Sequence, residues 1–255
     1  MKIHHLNCGS FCPLVPVLSE ITHCHCLLIE TKEGLVLIDT GMSKTHDNLV
    51  LKGYEKAAGV DYSRFSTAKE NLIAKGFKVS DVRHILITHL DFDHAGGLLD
   101  FPEATLHIYQ KEWESANKAG IHMLRYQKAL WKNHKKVISY TDNGENWEGL
   151  NAIKPMEDID DSILMIPLIG HTFGHAGFAL NTDSDKWLFH VGDAYYNQLE
   201  FSGGIRSLPY KTLARLSAMD NTKRLENLER IKNLKNTEGL QVCNSHDPLD
   251  FEKFL

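Results

Sequence analysis

Apolar residues recur along this chain in short runs whose spacing separates strands from helices. The runs "HCHCLLIET" (23–31) and "KEGLVLIDTG" (32–41), joined at Glu33 and Gly34, predict a hairpin. "STAKENLIAKGF" (66–77) has helical spacing, with Ser66 as the cap, Leu72 and Ile73 in the apolar stripe and Gly76 as the stop. "VRHILITH" (82–89) predicts a buried strand. From Tyr109 to about Val137 the pattern is helical, broken near Gly120. Trp113, Met123, Tyr126 and Trp131 give this stretch more apolar surface than a free helix shows, so it is expected to lie over something as an insertion. Strand signals resume in "SILMIPLIG", in "GFALNTD" with a turn at Asp183 to Asp185, and in "KWLFHVGD". A polar helix, "NTKRLENLERIKNLK", then precedes a last strand, "LQVCNSHD". No short-period repeat or flexible linker divides the pattern, and a single α/β domain over residues 1–255 is the economical reading.

Several of these strands end alike, in His or Asp beside Gly. "ITHLDFDHAGG" (87–97) packs His89, Asp91, Asp93 and His94 into six residues. "HTFGH" supplies His171 and His175, "VGD" supplies Asp193, and "NSHD" supplies His246 and Asp247. Polar groups at the ends of buried strands converge on one edge of a sheet, where α/β proteins build their sites. Imidazoles and carboxylates together are ligands for Zn, Fe and Mn. A lone histidine of this kind is more often a surface or hydrogen-bonded residue, Asp193 alone could be a turn residue, and "SHD" alone a helix cap. The cluster at 89–94 is different, because two carboxylates and two imidazoles packed without a cation would repel and lose solvation.

Composition narrows the partners. A net charge of −5 with dispersed lysines and arginines offers no footprint for nucleic acid. No apolar run is long enough for a membrane span, the first residues lack the apolar stretch of a signal peptide, and a cytoplasmic location is expected. Five cysteines, an odd number, fit reduced thiols. Cys24 and Cys26, spaced C-x-C, could hold a soft metal. Strand alternation favours them instead as small buried apolar groups, with His23 and His25 on the other face.

The ordered motifs "THLDFDHAGG", "GHTFGH", "GDAYY" and "NSHD", spread from the "LIDTG" of 37–41 to His246, resemble those of the metallo-β-lactamase superfamily. Within it the chain looks most like the N-acyl homoserine lactonase group, through Phe92, the insertion after the first motif, and Tyr196 three residues beyond Asp193. The resemblance implies a four-layer αβ/βα sandwich and two divalent metal ions, Zn or Fe/Mn. His89, Asp91 and His171 would hold the first, Asp93, His94 and His246 the second, and Asp193 would bridge them. His175 and Asp39 would support the ligands. One position departs from the family: Asp91 stands where H-x-H-x-D-H has its second histidine. A carboxylate there shifts preference from Zn towards Fe or Mn; alternatively it is too short to reach, and the first site is weak or empty.

The expected chemistry is hydrolysis by a metal-bridging hydroxide, since a water shared by two cations ionises near neutral pH. Asp93 would carry the proton and the Tyr196 hydroxyl would donate to the developing oxyanion. The expected substrate is a small molecule with an ester or lactone, most sharply an acyl-homoserine lactone, its acyl chain walled by the insertion through Trp131 and Met123. Phosphodiester or thioester hydrolysis ranks lower for want of an arginine cluster, a diiron redox centre for want of a flavin domain, and a non-catalytic metal binder stands as the third alternative. The oligomeric state stays open, a homodimer included.

Overall fold

A computed structural model describes residues 1–11, 22–118, 125–157, 159–183 and 186–254. The first half builds a six-stranded sheet from β1 (Lys2–Phe11), β2 (Thr22–Thr31), β3 (Gly34–Ile38), β4 (Val82–Leu86), β5 (Thr105–Tyr109) and β6 (Val137–Tyr140), in that spatial order. The first three run antiparallel, and β3 to β6 run parallel. A small hairpin of β7 (Glu145–Trp147) and β8 (Leu150–Ala152) follows. The second sheet has the order β12 (Leu240–Cys243), β11 (Lys186–His190), β10 (Ala176–Asp183), β9 (Ile163–Pro167).

The central strands of both sheets are covered on both faces, which explains why β2, β3, β4, β9 and β11 read as apolar runs. Alternation along each strand divides the load. Leu27, Ile29, Val36 and Ile38 of the first sheet meet Ile163, Met165, Phe178 and Leu180 of the second in a core between the sheets. The opposite face of the first sheet, with Cys26, Leu28, Leu35 and Leu37, packs on Ala68 and Leu72 of α2 (Ala68–Ala74) and Ala116 of α4 (Gln110–Asn117). The outer face of the second sheet, with Leu164, Ile166 and Phe189, packs on Leu228, Ile231 and Leu234 of α6 (Asn221–Leu234). Helix, sheet, sheet and helix stack as four layers, the αβ/βα sandwich the motifs implied.

Several local expectations shift. α2 is capped by Thr67, not Ser66, because Glu70 completes a reciprocal capping box with Thr67; Ile73 is exposed. Among its described residues, the stretch expected to be helical from 109 to 137 is only partly helix: Tyr109 ends β5, α4 covers eight residues, and a 3-10 turn spans Lys128–Leu130. Gly120 and Met123 lie outside the described residues, as does Asp185 of the expected turn after β10. Several elements had no prediction, among them β1, β5, β6, the β7–β8 hairpin, α1 (Leu49–Ala58) and α5 (Leu208–Ser217).

Candidate metal centre

The C-terminal ends of β3, β4, β9, β11 and β12 meet at one edge of the sandwich, and each ends in a polar group. Asp39 follows β3; His89, Asp91 and the short helix α3 (Phe92–Ala95) follow β4; His171 follows β9, Asp193 follows β11 and His246 follows β12. The glycines after the first cluster let this loop close down on the end of β3. Gly97 N–H donates to Gly41 O at 2.9 Å, and a Cβ on Gly97 would lie 2.5 Å from Thr40 O.

Four imidazoles turn their Nε2 atoms towards one another, each set by a contact at Nδ1. His94 Nδ1 contacts Asp39 Oδ2 at 2.8 Å, and His246 Nδ1 donates to His23 O at 2.7 Å. His89 Nδ1 lies 2.9 Å from Thr88 Oγ1, whose own proton goes to Asp39; His171 Nδ1 lies 3.5 Å from the Tyr196 hydroxyl. A partner on Nδ1 leaves the Nε2 lone pair for the centre. Asp193 sits between the rings, its Oδ1 3.1 Å from His94 Nε2 and its Oδ2 3.0 Å from His246 Nε2 and 3.4 Å from His171 Nε2. Asp93 Oδ2 is 3.5 Å from His246 Nε2.

These donors fit a metal. His89, His171 and Asp193 form one buried group with ligand atoms within 4.8 Å of one another; His94, His246 and Asp193 form a second. His89 Nε2, His94 Nε2 and Asp193 Oδ1 are buried with no hydrogen bond reaching them, which is costly unless a cation takes their lone pairs. The basin is negative: burial lowers the pKa of His94, but Asp193, Asp93 and Asp39 outweigh it and raise the value well above that of a free imidazole. Cys24 is buried beside Met42 and Phe65, and its thiol makes a third group with Asp93 and His246, whereas Cys26 is plain core.

Asp91 has a partner that motif reading did not provide. Arg125, from the insertion, forks onto it, Nε to Oδ1 and Nη2 to Oδ2, both at 2.5 Å. Burial would raise the Asp91 carboxyl, but Arg125 and then His89 hold it well below the usual carboxylate range. Asp91 Oδ2 lies 3.3 Å from His89 Nε2 and 3.2 Å from His171 Nε2. Burial, followed by the Arg125 charge, pushes His171 down to about 3, leaving it neutral.

A second unpredicted residue is Glu112 of α4, fully buried. It accepts from Leu90 N at 2.9 Å, Thr172 Oγ1 at 2.6 Å and Gly174 N at 3.2 Å, tying the loops that carry His89 and His171 together. A Cβ on Gly174 would fall 1.9 Å from Glu112 N, so only glycine permits that approach. His175 accepts from Asp193 N at 2.9 Å and donates to Leu168 O, holding the Asp193 backbone. In sequence, "KEWES" reads as helix surface and "LRYQ" as insertion; neither carries a local signal.

The centre floors a cavity of about 280 Å³, at the small end of ligand pockets. Its apolar walls include Phe11, Ala58, Phe92, Tyr210, Leu213 and Pro248, and Tyr196 stands between wall and floor, donating to Ser217 Oγ at 2.9 Å. Tyr126 and Trp131 do not line it. They are buried in the core under the six-stranded sheet, which corrects the expectation that Trp131 walls a substrate channel; Met123 lies outside the described residues.

Comparison with known proteins gives the family and the fold. Residues 20–238 match the Metallo-beta-lactamase superfamily profile. A probable metallo-hydrolase of Mycobacterium tuberculosis is 36% identical over 210 residues, 81% of this chain and 66% of that protein; the chain thus spans just under two-thirds of that relative's length. An N-acyl homoserine lactonase of Bacillus cereus is 26% identical over 79% of this chain and 74% of its own length. Among solved structures, an N-acyl homoserine lactone hydrolase with N-hexanoyl-L-homoserine at its catalytic metal centre superposes with a TM-score of 0.73 at 20% identity, covering 99% of this chain and 95% of that one. A probable metal-dependent hydrolase from Staphylococcus aureus gives 0.72 at 20% identity, covering 96% of this chain and 89% of that one.

Proposed function

Because this chain belongs to the metallo-β-lactamase superfamily, we propose that it is a metal-dependent hydrolase of esters or lactones. The observation that carries the reading is the pair of buried donor groups sharing Asp193 beneath an apolar-walled cavity. His89 and His171 with Asp193 would hold one divalent ion, with Asp91 Oδ2 facing the same group; His94, His246 and Asp93 with Asp193 would hold the other. Bound metals of this kind supply Lewis acidity and ionise water near neutral pH.

The chain's own residues do the rest. Asp39 and the His23 carbonyl fix the rings of His94 and His246, so the donor set is preorganised. Asp93, at the cavity floor, is placed to take a proton from the attacking water and return it to the leaving oxygen. The Tyr196 phenol stays protonated, since burial and then Asp193 raise it well above its usual value, and it is a donor for an oxyanion. Phe92, Leu213 and Tyr210 would receive an acyl chain, making an acyl-homoserine lactone the sharpest substrate candidate.

The test is a substrate panel on metal-loaded protein: acyl-homoserine lactones of short and long chain, simple lactones, an aryl ester, a phosphodiester and a thioester. Lactone ring opening should exceed the others in kcat/KM. A phosphodiester or thioester at the head of the panel would refute the lactone reading, and no turnover of any substrate would refute the hydrolase reading.

A further inference from the structure

A guanidinium has five N–H donors and no acceptor. The structure assigns a partner to each of those of Arg125. Nε and Nη2 bond the two oxygens of Asp91; Nη2 also donates to His171 Nε2 at 2.6 Å; Nη1 donates to Ser217 O at 2.6 Å and to His171 O at 3.3 Å. Nothing remains for a substrate oxygen, so Arg125 is not an anion-binding group of the cavity. Its contact with His171 has a further consequence. Arginine cannot accept, so His171 Nε2 accepts, and the lone pair it uses is the one His171 offers to the His89–His171–Asp193 group.

The two halves of the centre are therefore charged differently. On the first, the added carboxylate of Asp91 is matched by a fixed guanidinium. On the second, Asp93 and Asp193 face His94 and His246, and among the described residues no lysine or arginine pairs with either carboxylate. A divalent ion entering the first half meets a positive charge within hydrogen-bond reach of two of its prospective ligands. One entering the second meets only negative charge and imidazole.

We propose that Arg125 competes with metal at the first half of the centre, so that a cation binds there only by taking His171 Nε2 from the guanidinium, and the two halves fill with unequal affinity, the His94–His246 half first. Asp91 and Arg125 then form one device: the carboxylate attracts the cation and the guanidinium opposes it. The proposal rests on the metal-binding part of the functional reading above and not on the substrate.

Zinc titration of the full chain against a chromophoric chelator tests it, with the bound stoichiometry counted after dialysis. Wild type should show two separated steps, and His171→Ala should abolish the weaker one. Arg125→Gln should tighten the weaker step by roughly tenfold or more, from removal of a cation beside a divalent ion. Asp91→Asn should weaken the same step. A salt bridge that merely braces the loop would move both variants in the same direction. Two equal steps in wild type, or a weaker step that is unchanged or looser in Arg125→Gln, would overturn the proposal. If Arg125→Gln fails to fold, Arg125→Lys keeps the charge and loses the planar fork on Asp91 together with the Nη2 contact to His171. A tighter weak step in that variant supports competition, and an unchanged or looser one overturns it. Zinc affinity is read without substrate, so failure of the lactone assignment and failure of this proposal are separate results.

Discussion

Glu112→Gln is the substitution that best tests how the centre is held. The wild-type carboxylate is fully buried, and its Oε1 accepts Leu90 N while its Oε2 accepts Thr172 Oγ1 and Gly174 N, with the Tyr126 hydroxyl at 3.3 Å. A glutamine can keep its carbonyl oxygen on the Oε2 side, and Thr172 and Gly174 stay satisfied. Its NH2 then faces the Leu90 N–H, leaving two buried donors opposed, each costing about 1–3 kcal/mol. Part is offset, because burial raises Glu112 above an ordinary carboxyl, so removing its charge relieves some strain. The net expectation is about 2–4 kcal/mol lost in urea unfolding. Turnover should fall by more than the unfolded fraction accounts for, because Leu90 adjoins His89 and Thr172 adjoins His171 in the chain. Urea titration with kcat/KM and zinc stoichiometry on the same samples reads both effects. A stability loss under about 0.5 kcal/mol with unchanged turnover would refute the claim that this carboxylate couples the loops carrying His89 and His171.

Tyr196→Phe removes one hydroxyl bonded to Ser217, and should lower kcat roughly tenfold or more while costing no more than about 1.5 kcal/mol of stability; unchanged kcat would reduce Tyr196 to packing. Leu213→Trp narrows the cavity, and should raise KM for long acyl chains more than for short ones; equal effects would deny that the cavity takes the chain. His5 is pushed down to about 4 by burial, then by His190 and His4. Its folded pKa is depressed, so its contribution to stability is present above 6.5 and is lost as pH falls towards 4, where the unfolded chain has already taken up its proton. Discounted for partial exposure, this is about 1–2 kcal/mol, and His5→Gln should flatten urea midpoints across that window; an unaltered slope would count against it.

The fold was legible where a single physical rule acted alone. Strands buried on both faces had to be continuous apolar runs, and α6 was legible as a polar helix, its buried stripe through Leu228, Ile231 and Leu234 emerging only in the structure. β1 was missed because "KIHHLNCGSF" mixes polar and apolar residues, its histidines stacking and hydrogen-bonding where the pattern suggests solvent: His5 lies 3.8 Å, ring to ring, on Phe254 and 2.9 Å from His25 Nε2. The helix expected at 109–137 was misjudged for the opposite reason. Trp131 and Tyr126 have the apolar bulk of a helix face, but they reach the core from a 3-10 turn and an irregular segment.

The histidines and aspartates at the strand ends could be found because each sits where a strand delivers it, a local property. Arg125 could not, because what defines it is a relation across 34 positions to Asp91. Yet the sequence did contain the question. A carboxylate in place of the usual imidazole adds a buried negative charge, and burying that charge without a partner costs several kcal/mol. Either an added cation from solution or a cation from the chain had to answer it. The bidentate fork of Arg125 shows which answer the fold contains, and it alters what Asp91→His would do. Restoring the imidazole alone strands a largely buried guanidinium, with only His171 and two carbonyls for company. The single substitution should therefore bind zinc less well at the first half than Asp91→His combined with Arg125→Gln. If the single substitution instead matches the double in zinc affinity, Arg125 and the residue at position 91 are not a pair, and the carboxylate must be explained by the metal alone.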